Sequence, residues 1–334
     1  MKYISAIFFI LAAVSSLGAA SRDMQVYGIS GVAQGTTYSI KYYSERELIK
    51  QQSIDSIFNV IDQSMSLYKA HSAINTFNKP TVLSMELDAH MLRVVEASFH
   101  YNKLTQGYFD ITLYPLLQLW GFGPQGFGKL PLDHQIDSVK KLIGIDKIHL
   151  NGKVLTKQQS HVSIDLNGIA QGYTVDVVAD YLTRSGLQSF LVEVGGEIYA
   201  KGLKSDNSAY KIEIQRPPGD QALNYKVMLK DMAITTSGSY EKYRTVNGQH
   251  YSHHMDPFKG DPVLNNVLSV TVIARTAMEA DALDNYLMYL NPQEALSFVE
   301  KLPQVEAYII YSENNTLKEL QSSGFNNYIY NIQS

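Results

Sequence analysis

The sequence predicts an α+β fold with a substantial antiparallel sheet and packed helices. Strand signals are numerous along the 334 residues, and several follow one another with no helix between them. Antiparallel pairing permits such short returns, whereas a doubly wound parallel sheet needs a crossover each time. No Gly-x-Gly-x-x-Gly follows an opening strand, so a Rossmann-type dinucleotide site is unsupported. With 45% apolar residues, the chain can bury one large core or two intergrown ones.

Val26 to Tyr43 reads as two short strands around Gly31-Val32-Ala33-Gln34-Gly35. Ile54, Ile57, Ile61 and Met65 recur at helical spacing and predict a helix over 54–65. A second helix is expected over 88–104, with Leu92, Val95 and Phe99 on one side and a stop at Gly107. A third runs from Ile169 to Arg184 and ends at Gly186. Strands are expected over 190–194, 210–215, 225–229 and 267–274. Thr276 caps a helix expected to reach about Leu290. Asn291-Pro292-Gln293-Glu294 is a helix start, with an N-cap, Pro at the first position and an acid at the third. A last strand is expected over 305–311.

Charged residues are 18% of the chain and the net charge is −4, with no Lys/Arg stripe interleaved with aromatics. Nucleic acid is therefore not an expected partner. The N-terminus reads as an export signal: Lys2 is basic, Ile4 to Val14 is apolar but too short to span a bilayer, and Gly18-Ala19-Ala20 suits cleavage after Ala20. The expected location is periplasmic, either soluble after cleavage or held by an uncut signal. The chain has no cysteine, so its core holds the fold without disulfides and a lipid anchor on cysteine is not expected.

Four polar or aromatic clusters interrupt the patterned segments. Ser163 to Tyr173 carries Asp165 and Gly168 into a helix start, where backbone N–H groups favour phosphate; an ordinary capped turn is the competing reading. Thr236 to Tyr240, with His250 to Pro257, offers hydroxyls and a His253-His254 pair, or else a hairpin with surface histidines. On a strand the two histidines would point to opposite faces, one to a site and one to solvent. Met278 to Asn285 places Asp281 and Asn285 four apart on one helix face, an oxygen donor set for a hard cation, with Asp284 one residue round; a solvated acidic face is the alternative. Met65 to Tyr68, Gly107 to Thr112 and Leu119 to Pro124 can wall a flat ligand or simply pack the core. The 23 tyrosines allow stacking but are accounted for by packing.

In that order the segments resemble the ApbE-type FAD:protein FMN transferase family, from about Gly31 to Leu290. The resemblance rests on Gly35-Thr36-Thr37-Tyr38, Met65-Ser66-Leu67-Tyr68, Phe109-Asp110-Ile111-Thr112 and Leu119-Trp120-Gly121-Phe122-Gly123-Pro124. It continues through Asp165 to Tyr173, Val194-Gly195-Gly196-Glu197, Thr236-Ser237-Gly238, Tyr251-Ser252-His253, Asp256-Pro257 and Met278-Glu279-Ala280-Asp281-Ala282. It implies a T-fold-like α+β domain over 21–334 after a signal peptide of 1–20. It also implies a Mg²⁺-dependent enzyme that moves FMN from FAD to a Thr or Ser hydroxyl of a flavoprotein and releases AMP. The usual acceptors are subunits of membrane redox complexes of the Na⁺-pumping NADH:quinone reductase and Rnf types.

Carried over by motif, Gln34, Tyr68, Tyr108, Phe109, Asp110, Asp165, Gln171 and Met255 contact FAD. Asp281, Asn285 and the backbone oxygen of Gly168 hold Mg²⁺, and His253 is the candidate base. Gln34 stands where Met is usual, Gln171 where Lys or Glu is common, and Asn285 where Thr is usual. A FAD pyrophosphatase releasing FMN and AMP, or a non-catalytic FAD carrier, are the alternative readings of the same site.

Overall fold

The computed structural model describes residues 24–124, 130–217, 225–240, 243–246 and 249–330. The export signal expected over 1–20 lies outside them. Among the described residues no helix is long and apolar enough to cross a membrane.

The chain opens with β1 (Gln25–Ala33) and β2 (Thr36–Ser44), paired antiparallel in continuous register. Only Gln34 and Gly35 form the turn, with φ of 53° and 77°. Two positive φ values in a two-residue hairpin loop match the right-handed strand twist, so β1 runs on through Gly31, where a longer turn was expected. Then follow α1 (Gln51–Met65), α2 (Ala73–Phe77), β3 (Ser84–Glu86), α3 (Ala89–Leu104), α4 (Tyr114–Leu119), α5 (Asp133–Lys140), β4 (Ile148–Asn151), β5 (Val154–Lys157) and α6 (Asn167–Arg184). The second half holds β6 (Phe190–Val194), β7 (Glu197–Lys201), β8 (Tyr210–Ile214), β9 (Tyr225–Leu229), β10 (Met232–Gly238), β11 (Tyr243–Val246), β12 (Gln249–Ser252), β13 (Val267–Ala274), α7 (Ala277–Leu287), α8 (Pro292–Val299), β14 (Glu306–Glu313) and β15 (Thr316–Gln321).

Eight strands form one sheet in the order β1-β2-β6-β7-β10-β13-β14-β15, antiparallel at every step. Its middle strands are covered on both faces. Val270, Val272 and Ile309 point into the helical layer, while Ile273, Tyr308 and Ile310 join the β8–β9 ribbon on the other side. Double coverage explains why β13 reads as an apolar run without alternation. The expected caps are present: Thr276 accepts from Glu279 N–H and Asn291 from Glu294, and Asp88 caps α3 by accepting from His90 and Met91. The helix after Thr276 stops at Leu287, short of Leu290. The strand at 306–313 is followed by one more, β15, which closes that side of the sheet.

α7 packs on β10 and β13 and against α6. Asp176 of α6 fixes its start by accepting the N–H of Ala277 at 2.8 Å and of Met278 at 2.9 Å. Burial pushes the Asp176 carboxyl up to about 6, against the opposing effect of those two bonds. A carboxyl raised in the folded state binds its proton more tightly folded than unfolded. Its stabilising protonation is complete below the ordinary carboxylate range and is lost as pH rises through about 6. Asp176→Asn is therefore expected to remove about 1–2 kcal/mol of the fall in unfolding free energy between pH 4 and 6.5. Urea unfolding across that range checks it, and parallel curves for the two proteins would refute the assignment.

Candidate active site

A cleft of about 1220 Å³ opens where the β1–β2 turn, α1, the 107–113 segment, the α6 start, the 253–255 segment and α7 converge. Every site residue expected from the sequence lines it: Gln34, Tyr68, Tyr108, Phe109, Asp110, Asp165, Gly168, Gln171, His253, Met255, Asp281 and Asn285.

The aromatic wall is built from the turn after α3. Asn102 Nδ2 donates to the Phe109 carbonyl at 2.8 Å, and Thr105 Oγ1 accepts the Phe109 N–H at 2.9 Å. Tyr108 is set between Phe258, at 5.0 Å edge to face, and Tyr289, at 5.9 Å. Asp110 is buried, and burial raises its carboxyl although Thr112 donates to it through both N–H and hydroxyl, at 2.8 and 2.6 Å. Tyr68 stands 70% exposed at the cleft wall, a ring face open to a planar ligand. Trp120 took the packing alternative: it is buried beside Met255, and its indole N–H donates to the Gly260 carbonyl at 3.0 Å.

At the α6 start, Asp165 accepts the Asn167 N–H at 2.7 Å, and its own N–H donates to Ile111 O at 2.8 Å. One of the first-turn donors expected to be open to phosphate is thus already satisfied by a carboxylate. Gln171, a turn further on, donates to Val194 O at 3.0 Å and to Glu197 Oε2 at 2.5 Å. Gln34 sits in the left-handed region at φ 53°. Burial raises the Asp62 carboxyl of α1, and the Gln34 side chain lowers it by a smaller amount.

His253 and His254 follow the end of β12, so strand alternation does not apply to them. Both line the cleft, and their ring centroids are 4.1 Å apart. His254 is buried, which corrects the expectation that one of the pair faces solvent.

The acidic run on α7 is also no solvated face. Asp281 and Asp284 are 4% and 2% exposed. Asp281 Oδ2 accepts the Gly172 N–H at 2.9 Å. The Asn285 amide nitrogen lies 3.1 Å from Asp281 Oδ1 and 3.4 Å from the Gly168 carbonyl oxygen. The same nitrogen donates to the Asp281 main-chain oxygen at 2.9 Å; turning the amide would exchange that bond for a third oxygen donor beside Asp281 Oδ1 and the Gly168 carbonyl. Asp284 accepts from Ser237 Oγ at 3.0 Å, and its carboxyl is held well above the usual range, first by burial and then by the charge of Asp281. Among the described residues no three His, Cys, Asp or Glu side chains gather into a group that could hold a metal ion, so a cation here would lean on backbone and amide oxygens beside Asp281. One carboxylate, one carbonyl and one amide beside a second buried acid fit a hard divalent cation that keeps positions for water and phosphate.

The ApbE family profile matches residues 34–309. This chain belongs to the ApbE family. It is 34% identical over 322 residues to the FAD:protein FMN transferase of Vibrio cholerae serotype O1, covering 94% of this chain and 96% of that one. To the FAD:protein FMN transferase of Escherichia coli K12 it is 31% identical over 335 residues, covering 97% and 95%. The structure of the flavin transferase ApbE from Vibrio cholerae superposes with a TM-score of 0.84 at 34% identity, over 92% of this chain and all of that one. The apo flavinyl transferase ApbE of Pseudomonas stutzeri superposes at 0.83 and 32% identity, over 91% and 96%. The antiparallel α+β architecture is thus that of the ApbE flavin transferases.

Several further residues line this ApbE-family cleft beyond the expected site residues. Asp55, Asn59 and Asp62 project from α1 at helical spacing, and Glu197 holds Gln171. The signal for the α1 group is a polar stripe flanking the apolar face of Ile54 and Ile61, about 100° round the helix.

Proposed function

We propose that the protein transfers FMN from FAD to a Thr or Ser hydroxyl of a flavoprotein and releases AMP. The observation that carries this reading is the convergence of flat-ligand wall, hard-cation donors and His253 on one cleft. The acceptor oxygen attacks the FMN-side phosphorus, the phosphoanhydride bond breaks, and its electron pair leaves with AMP. His253 takes the hydroxyl proton as general base. Asp281, Asn285 and the Gly168 carbonyl would hold Mg²⁺, which supplies charge stabilisation at the pyrophosphate when bound. Tyr68, Tyr108 and Phe109 orient the ligand, so that positioning does most of the remaining work.

The acceptor we propose is a subunit of a membrane redox complex of the Na⁺-pumping NADH:quinone reductase or Rnf type. The location we propose is the periplasm, on the strength of Lys2, the apolar run 4–14 and Ala20. N-terminal sequencing of protein recovered from a periplasmic fraction tests it; a start at Met1 would mean an uncut signal.

Incubation with FAD and a candidate acceptor domain, with and without Mg²⁺, followed by intact-mass measurement of the acceptor, tests the reaction. A Mg²⁺-dependent gain of one FMN phosphoryl unit is expected. Free FMN and AMP without that gain would make the protein a pyrophosphatase, and intact FAD a carrier. His253→Ala is expected to slow transfer by roughly 10²–10⁴-fold while FAD affinity holds. Loss of FAD binding instead would make His253 a binding residue.

A further inference from the structure

The two edges of the main sheet differ in a way that packing does not explain. An exposed strand edge offers unpaired N–H and C=O groups, and proteins usually blunt it with charge, proline, a bulge or a cover. The β15 edge is blunted: Lys318 pairs with Glu313 at 3.1 Å, and Glu319 is engaged by Arg216. Among the described residues β1 has none of these devices. It runs nine residues, Gln25-Val26-Tyr27-Gly28-Ile29-Ser30-Gly31-Val32-Ala33, without a charge, a proline or a register shift. Among the described residues no strand pairs with its far side. One face of it is open: Val26 is 60% and Val32 79% exposed, and a Cβ added at Gly28 would meet only Ile40 O at 3.9 Å. The same strand leads into the cleft, which Gly31, Val32, Ala33 and Gln34 line.

We propose that the free edge of β1 is the docking surface for the hydroxyl-bearing acceptor polypeptide, which adds to the sheet as an extended strand and delivers its Thr or Ser into the cleft. The inference rests on the transferase reading above, which requires a polypeptide to enter where β1 ends. From Val26 to Val32 the edge spans about 20 Å, room for an extended stretch of roughly six residues. Main-chain hydrogen bonds supply affinity without demanding one sequence, and apolar side chains at alternate positions meet Val26 and Val32.

The test uses the full chain, FAD, Mg²⁺ and the acceptor domain that gains FMN in the mass assay. Val26→Lys/Ser30→Lys charges two exposed β1 positions outside the cleft, and unchanged thermal melting and FAD affinity establish that the variant is folded. The acceptor KM is expected to rise at least about tenfold with kcat unchanged. In hydrogen exchange, the acceptor with its modified hydroxyl residue changed to Ala is expected to protect the amides of residues 26–32. An unchanged KM, or protection elsewhere only, overturns the docking assignment while leaving wild-type transfer intact. Protection of β1 in the protein alone also overturns it: if concentration-dependent, the occupant is a second copy, and if not, it is the chain preceding β1. Failure of the unaltered protein to modify any acceptor would overturn the transferase reading and the docking with it.

Discussion

Asp281→Asn is expected to bind FAD yet lose Mg²⁺-dependent transfer by roughly 10²–10³-fold, the scale of removing one preorganised charge-stabilising group. The substitution keeps the shape of the side chain and one acceptor for the Gly172 N–H, 2.9 Å away in the parent. What it removes is the charge around which the Gly168 carbonyl and Asn285 amide are gathered. A second readout separates metal loss from general damage. In the metal-free protein the charge of Asp281 is one of the two main causes holding the Asp284 carboxyl up. Removing it relieves that repulsion, so the metal-free variant is expected to melt no lower than the parent. On the proposed metal site, Mg²⁺ is expected to raise the Tm of the parent and to leave that of the variant unchanged, because a ligand stabilises only the state that binds it. A variant with near-normal transfer, or one that keeps the Mg²⁺-induced shift, would remove Asp281 from the metal site.

The sequence carried most of this architecture because each large element has its own local signal. Ile54 to Met65 repeats at helical spacing, Thr276 and Asn291 cap, and the strands at 190–194, 225–229 and 267–274 are apolar runs bounded by turns. Short elements held by tertiary contact left weaker traces. β10 reads as a polar Thr-Thr-Ser-Gly stretch, yet it is central to the sheet, where Thr236 and Thr271 hydroxyls lie 2.9 Å apart across β10 and β13. The site was legible as a set of motifs in order, not as a shape. No local pattern says that Gln171 reaches Glu197, that Gln34 comes beside Asp62 in one cleft, or that His254 turns inward with His253. Those relations arise only when α1, α6, α7 and the β1–β2 turn are brought to one place.

Gly172→Ala is expected to damage both fold and chemistry, although helix propensity alone argues the reverse. In an exposed helix interior, alanine is favoured over glycine by about 1 kcal/mol. Here a Cβ would lie 2.3 Å from the Ala277 carbonyl oxygen, 2.6 Å from its carbon and 2.8 Å from Asp281 Cβ. The first two are backbone atoms of the α7 start, which Asp176 holds through two hydrogen bonds, so rotating a side chain does not relieve the clash. Overpacking of this kind costs about 1–3 kcal/mol, enough to outweigh the propensity gain. The larger effect falls on activity. To make room, α7 must move away from α6, carrying Asp281 and Asn285 from the Gly168 carbonyl, and a displacement of about 1 Å in a catalytic constellation can cost roughly 100-fold. Gly168→Ala is the matched control on the same helix. A Cβ there would meet Asn285 and Phe109 no closer than 3.7 Å, an ordinary contact. The expected result is a Gly172→Ala protein that melts a few degrees lower and transfers FMN roughly 100-fold more slowly, beside a Gly168→Ala protein with parental melting. If the Gly172 variant keeps the parental rate, close approach of the two helices does not set the metal site.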